Sequence, residues 1–401
     1  MTGPSASSAL ESAGESRASW VTRDVKRIFV TQVVFGFGWS LYLLMPKFLA
    51  TQLKAPPDLI GQISAMGGAA GLLTAPFAAF WLDRYERKFF FRAGATLIIV
   101  ASVGMTQVHA VTPLIYVMQG CVSAAFVLAF NATAALLSDY APPERLGQAI
   151  GWLGGANVAM NAVATMIAEP LSTSFGWHAV FALGVIAGCV AFVLSFGLRS
   201  APRVAPVVPP LGKGDVAAQG GSRAKSGVVL LLVSATVMGA VFIALFGFVQ
   251  PYAVSLGAHE VRYFFLGFTL AAVCGRVLLG GLGDRVGRRA VSIWMLGGYA
   301  LAAAFMRELD IDLLMFYGVA FGAAHGLLYP TLNALLLELL PVGRRGLGMV
   351  LYNGAFNLGT SMGSLGWGLL AKHEGYPAVY ATAALSALVA GAVLSVRPRE
   401  S

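Results

Sequence analysis

Twelve apolar runs follow one another from Ile28 almost to the end of the chain, near 28–50, 60–82, 89–108, 113–137, 148–170, 176–198, 227–256, 263–283, 290–306, 312–339, 346–370 and 377–396. About 20 apolar residues cross roughly 30 Å of hydrocarbon as a helix. Only helices and closed barrels satisfy their backbone polar groups in lipid, and these runs are too long and too continuously apolar for barrel strands. Composition agrees: the chain is 57% hydrophobic and only 11% charged, where a water-soluble domain carries about 25% charged residues. The expected fold is an all-α membrane protein of twelve transmembrane helices.

The net charge of +9 raises the question of nucleic acid, and its placement answers it. Of 27 basic residues, 21 fall on alternate loops, among them Arg84, Arg87, Lys88, Arg92, Arg145, Arg285, Arg288, Arg289 and Arg344. The opposite loops hold Lys47, Lys54, Arg262, Arg307 and Lys372, and Arg276 falls inside a run. By the positive-inside rule the first set is cytoplasmic, and so are both termini. A cell (inner) membrane protein is expected, with the bilayer as partner and no nucleic acid. Residues 1–27 hold no apolar h-region and read as a disordered cytoplasmic tail rather than a cleaved signal. Cys121, Cys189 and Cys274 all lie inside runs. They suggest neither a disulfide framework nor a metal site.

The chain repeats itself. "FWLDRYERK" ends the second run with Asp83, Arg84, Arg87 and Lys88, and "GGLGDRVGRR" ends the eighth with Asp284, Arg285, Arg288 and Arg289, about 200 residues later. A second pair follows at the same offset: Asp139, Pro142, Arg145 and Gly147 after the fourth run, Glu338, Pro341, Arg344 and Gly346 after the tenth. Residues 28–198 and 227–397 therefore read as two parallel six-helix bundles around a central cavity, joined by a Pro-, Gly- and Arg/Lys-rich cytoplasmic linker at 199–226. Parallel repeats about an axis along the membrane normal are one of the transporter architectures. Asn and Gln fall inside runs 4, 5, 7, 10 and 11, with Gln32 near the start of run 1, while runs 3, 6, 9 and 12 have none in their middles. Every third helix is thus expected to face lipid or serve packing alone.

On these motifs the sequence resembles the major facilitator superfamily, of the twelve-helix, bacterial-exporter type, over residues 20–397. Gly280, Asp284, Arg285, Gly287, Arg288 and Arg289 fit that family's G-x-x-x-D-R-x-G-R-R loop; in the first copy Ala79 and Glu86 replace two of the glycines. The resemblance implies that the loop holds helix ends together and gates the motion of the halves, with Asp83 and Asp284 accepting hydrogen bonds from helix ends or arginines.

Candidate substrate or coupling residues lie in stripes at helical spacing. Run 10 carries His325, Tyr329 and Asn333, run 11 Asn353, Asn357 and Ser361, and run 5 Asn157, Asn161 and Thr165 with Glu169 a turn further on; run 4 offers Gln119 and Asn131. An imidazole with a pKa of about 6.5 titrates near working pH, and intramembrane ionisable groups are functional hypotheses by default. The bland alternative for each is a bridge between helices. Relatives suggested by the resemblance often carry Asp at the place of Asn357 and Arg at that of Gln119, and a Pro in the fifth helix that "GWLGGANVAMN" lacks; at these places the chain departs from the residues that the resemblance implies for family-style proton coupling. Arg276, roughly 12 Å inside its helix end, needs a carbonyl, carboxylate, water or substrate as partner. Gly67 and Gly71, and Gly359 and Gly363, are spaced for close helix approach. Pro46, Pro76 and Pro330 are placed to kink helices. Trp39, Tyr42, Phe248 and Tyr252 are candidates to line a cavity.

The expected function is secondary transport of a small organic solute by alternating access, as export of a drug, metabolite or sugar coupled to protons, by a monomer with no cofactor and no catalytic or metal site. An organic-anion uniporter or symporter using Arg276 and His325 is the alternative, and a transporter-like sensor or scaffold the remote one. A membrane enzyme would need a cluster of nucleophiles or metal ligands that the chain lacks, and no GxxxxGK[ST] phosphate loop is present for ATP-driven pumping.

Overall fold

The computed structural model describes residues 21–82, 84–142, 145–199, 222–341 and 345–395. Among them, twelve long helical units follow one another in the expected order. Span 1 is Arg23–Thr51, span 2 Pro57–Leu82, span 3 Arg87–Thr106, span 4 Pro113–Tyr140, span 5 Leu146–Phe175 and span 6 Trp177–Gly197. Span 7 is Ser226–Ser255, span 8 Arg262–Leu279, span 9 Arg288–Met306, span 10 Ile311–Glu338, span 11 Arg345–Glu374 and span 12 Tyr376–Ser395. Among the described residues no strand occurs.

Eleven of these are long and apolar enough to cross a membrane on composition alone; span 11 is the exception. Its 30 residues include seven glycines, Asn353, Asn357 and the hydroxyl side chains of Thr360, Ser361 and Ser364. The reason lies in its position. Span 11 packs against span 2 on one side and span 7 on the other, so much of its surface meets protein rather than lipid, and small and polar residues are tolerated there.

The packing follows the repeat. Span 1 lies against spans 5 and 6 as span 7 lies against 11 and 12; spans 3 and 4 pair as 9 and 10 do; spans 3 and 6 pair as 9 and 12 do. Between the halves, span 2 meets span 11, span 5 meets span 8, and span 1 meets span 7. Spans 3, 6, 9 and 12 make their main contacts within their own half and expose apolar side chains such as Val103, Val193, Leu301 and Leu385.

Three expectations need correction. Helix begins at Arg23 and again at Ser222, so the ends of the expected tail (1–27) and linker (199–226) belong to spans 1 and 7; the rest of both lies largely outside the described residues. Lys47 is not on a loop: it sits in the helical second half of span 1 and is 4% exposed. The close crossing of span 2 on span 11 uses Gly61 and Gly68, not Gly67 and Gly71. A Cβ on Gly68 would stand 2.8 Å from the backbone of Asn357 and Ser361, whereas Gly71 meets only the Asn357 side chain, at 3.5 Å. Gly359 does serve as expected, with the Thr236 carbonyl where its Cβ would be.

Candidate functional site: a cavity between two broken helices

Both halves break their first helix. Span 1 runs as an α-helix over Arg23–Ser40, tightens to a 3-10 turn at Leu41–Leu44 and resumes at Met45–Thr51, with Pro46 in the first turn of the new segment. Span 7 stops at Phe246 and resumes at Val249–Ser255, with Pro251 inside the first turn. Proline cannot donate into a continuing helix but suits the start of a new one. The two breaks face each other across a cavity of about 130 Å³. Trp39, Tyr42, Leu43, Met45 and Pro46 line it from span 1, Ser64 from span 2, Gln119, Val122 and Ser123 from span 4, and Ile243, Phe246, Gly247 and Gln250 from span 7. No charged side chain is among them.

The lining is partly satisfied within itself. Tyr42 Oη and Ser102 Oγ share a hydrogen bond of 2.8 Å, and Ser123 Oγ donates to the Gly67 carbonyl at 2.6 Å. Gln250 Nε2 reaches across the halves to the Leu43 carbonyl at 2.8 Å. The amide oxygens of Gln119 and Gln250 are buried with no hydrogen-bond partner.

A buried ion pair closes one end. Glu169 of span 5 is 1% exposed and pairs with Lys47 of span 1, which also donates to the His259 carbonyl. The same carboxylate accepts the backbone N–H groups of Val261 at 2.8 Å and Arg262 at 2.9 Å. These are orphan donors of the first turn of span 8, where negative charge is favoured. Lys372 Nζ adds a pair with Asp58 Oδ2 at 2.8 Å between spans 11 and 2. Ser361 Oγ donates to the Ala65 carbonyl at 2.9 Å, and Thr269 Oγ1 to that of Val158 at 3.4 Å. These cross-half ties lie from the middle of the bundle to the end away from the basic loops.

At the basic end the ties among the described residues run within each half. Arg288 binds Asp284 at 2.8 Å and Glu338 at 2.9 Å. Its counterpart Arg87 pairs with Asp139 and donates to the Ala135 carbonyl. The two repeated motifs thus join each other, the arginine of the first holding the acid of the second. Sequence reasoning found both motifs but not their pairing. Arg289 donates to the Leu394 carbonyl at 2.8 Å, Arg84 lies 3.8 Å over the Phe80 ring, Lys88 pairs with Glu86, and Arg285 is exposed. Gly287 has φ +104°, which suits glycine, and Gly280 caps span 8. Asp83 lies outside the described residues.

The remaining candidates divide. Of the sequence candidates, Gln119, Trp39 and Tyr42 line the cavity; Ser64, Ser123 and Gln250 also line it and were missed, because the helix breaks that bring them together have no periodic signature. Asn157 and Asn161 are used inside the first half: they accept from Gln32 at 3.5 Å and from Ser40 at 3.0 Å. Asn131 is exposed and bonds its own helix at Val127. In the second half, His325 Nδ1 shares a hydrogen bond with Tyr299 Oη among the rings of Phe242, Phe268 and Phe321. Tyr329 donates to Asn353, and Tyr352 to the Tyr329 carbonyl at 2.8 Å. Arg276 donates to the Gly326 carbonyl at 3.3 Å, one of the partners foreseen for it. Asn357 packs on Gly71 of the other half, and the Asn333 side-chain oxygen is buried without a partner. Phe248 is buried at the break, and Tyr252 stacks on Tyr376 and Tyr380. Among the described residues no group of three or more His, Cys, Asp or Glu is placed to hold a metal.

Comparison with known proteins agrees with this geometry. The fold matches the nucleoside transporter NupG (TM-score 0.71, 14% identity, 94% of this chain and 100% of that one). It matches the xylose transporter XylE from E. coli in its inward open conformation (TM-score 0.72, 15% identity, 92% and 94%) and a mutant of the peptide transporter POT (TM-score 0.76, 13%, 92% and 93%). In sequence, the tetracenomycin C resistance and export protein of Streptomyces glaucescens is 29% identical over 139 residues, 34% of this chain and 26% of that protein. The match therefore spans about a quarter of that relative's length. The Major Facilitator Superfamily profile matches residues 28–261 and again 251–401. Its coverage of both halves, with the two broken helices and the doubled loop motif, makes this multi-pass membrane protein a member of the Major Facilitator Superfamily of secondary transporters.

Proposed function

We propose that the protein exports a small organic solute across the cell (inner) membrane by alternating access, as a monomer, and that the structure is its outside-closed state. The cavity walled by both halves carries this reading: a solute held there touches the two bodies whose relative motion would release it. With the basic end cytoplasmic, the Glu169 bonds to the start of span 8, the Lys47 bond to the His259 carbonyl and the Asp58–Lys372 pair close the outer end. Export is favoured over uptake by the partial likeness to a resistance and export protein. Both bundles lie in one chain, so a monomer holds a complete pathway. The reading as a transporter rather than an enzyme rests on the family match over both halves.

Protons are the proposed coupling ion, with His325 as the candidate carrier among the ionisable groups inside the spans. The organic-anion alternative is weakened by the uncharged cavity lining and by the Arg276 bond to a backbone carbonyl. Proteoliposomes loaded with a pH-sensitive dye and challenged with amphiphilic drugs, sugars and organic acids test the reading. Solute-driven proton movement is expected. Labelled solute crossing with no proton movement would leave transport and remove proton coupling; no crossing by any solute would remove both.

A further inference from the structure

We propose that Gln119 and Gln250 form a paired amide site, one from each half, that selects an uncharged solute presenting hydrogen-bond donors on a flat or alicyclic body. The inference deepens, and rests on, the transport reading of the same cavity.

Two orphan acceptors motivate it. Leaving a buried acceptor unpaired costs about 1–3 kcal/mol, and such groups are few in native proteins. Here two lie in one small cavity, on facing halves. The orientation of Gln250 is set by chemistry: its nitrogen must face the Leu43 carbonyl, since the reversed amide would put oxygen against oxygen. Its oxygen is therefore the free group, on a residue only 1% exposed. Of the other polar groups of the wall, Tyr42 and Ser123 are already engaged with protein partners. The wall carries donors of its own on Ser64, Trp39 and Gln119, yet none of them reaches either amide oxygen, and a solute's donors would fill both.

The rest of the wall narrows the class. No lining side chain is charged, so an ionised solute would lose its hydration with no counter-charge in return. Trp39, braced against Phe126 at 4.4 Å between ring centroids, and Phe246 supply aromatic surface on either half. Phenols, anilines and hydroxylated rings meet these conditions; carboxylates, phosphates and quaternary amines do not. A site built to pair hydroxyls rejects the analogue without them strongly, because its own polar groups stay unpaired.

Resorcinol and its dimethyl ether form a matched probe pair. Saturation-transfer NMR on the purified full chain in detergent measures both. The expected result is binding of resorcinol at least about tenfold tighter than the ether. The preference is expected to fall to within about twofold in Gln119→Leu/Gln250→Leu, which keeps side-chain size and removes both acceptors. The wild-type comparison needs no variant to fold. Equal binding of the two probes, binding of neither, or an undiminished preference in the double variant would overturn the site. If those results come with solute flux in proteoliposomes, transport stands and only this assignment falls. If the preference holds and no solute crosses, the transport reading falls instead.

Discussion

Glu169 accepts the backbone N–H of Arg262 at 2.9 Å from the opposite half of the molecule. The other oxygen serves Val261 and Lys47. One carboxylate thereby joins a buried cation of its own half to a helix N-terminus of the other, and the outer end cannot part without breaking its two backbone bonds and the Lys47 bond to the His259 carbonyl. Removing one partner of a buried pair costs about 3–5 kcal/mol, because the other charge is left unpaired. Glu169→Gln is expected to lower the thermal midpoint of the purified protein. Glu169→Gln combined with Lys47→Met, which removes both charges, is expected to recover part of that loss. A double variant no better than the sum of the two singles would show that the pair is not coupled.

The Arg288 pairs with Asp284 and Glu338 are partly exposed, so each contributes only about 0.2–1 kcal/mol to stability. Their importance should lie in motion instead. Asp284→Asn is expected to insert and fold normally while cutting flux, and Glu338→Arg with Arg288→Glu should restore part of what either change removes alone. Normal flux in Asp284→Asn would reduce the motif to a topology signal.

Gly68 gives a steric test of the closed interface. A methyl group there would stand 2.8 Å from the span 11 backbone, so Gly68→Ala should prise spans 2 and 11 apart and favour the outside-open state. Gly155→Ala, with open space around it, should be neutral or stabilise by about 0.5–1 kcal/mol through helix propensity. Reaction of a single cysteine at Ser64 with a membrane-impermeant maleimide, added from outside, compares them. Equal labelling rates would mean that this crossing does not close the outer path.

His325 is the residue on which scaffold and coupling roles separate. Gln at 325 can still pair with Tyr299 but cannot carry a proton. His325→Gln is expected to flatten the pH profile of transport at nearly unchanged thermal stability. A lowered midpoint with an unchanged pH profile would assign the imidazole to packing among Phe242, Phe268 and Phe321.

Much of the architecture is legible in the sequence because lipid leaves few choices: run lengths, loop charge and the doubled Asp–Arg motif all point to one fold. The site is less so. Asn157, Asn161 and Gln119 look alike in sequence, yet the first two are consumed by Gln32 and Ser40 while Gln119 keeps a free oxygen at the cavity. Lys47 and Glu169 lie 122 residues apart, and no local period connects them. Pro46 reads as a kink from sequence alone, whereas its counterpart Pro251 gains meaning only beside it, and together they shape the cavity. Span 11 shows the converse: its glycines and asparagines weaken its membrane signal because they serve contact between the halves.

Alternating access is tested most directly by paired spin-label distances across the two ends, in protein with Cys121, Cys189 and Cys274 replaced by alanine. Labels at exposed Thr173 and Asp312 report the outer end, and labels at exposed Ser138 and Leu347 the basic end. The prediction is reciprocal motion: a short outer distance with a long basic-end distance in one population, the reverse in another, and a shift toward the second in Glu169→Gln. Distances that stay fixed in Glu169→Gln, or that lengthen at both ends together, would contradict a rocking transporter latched by Glu169.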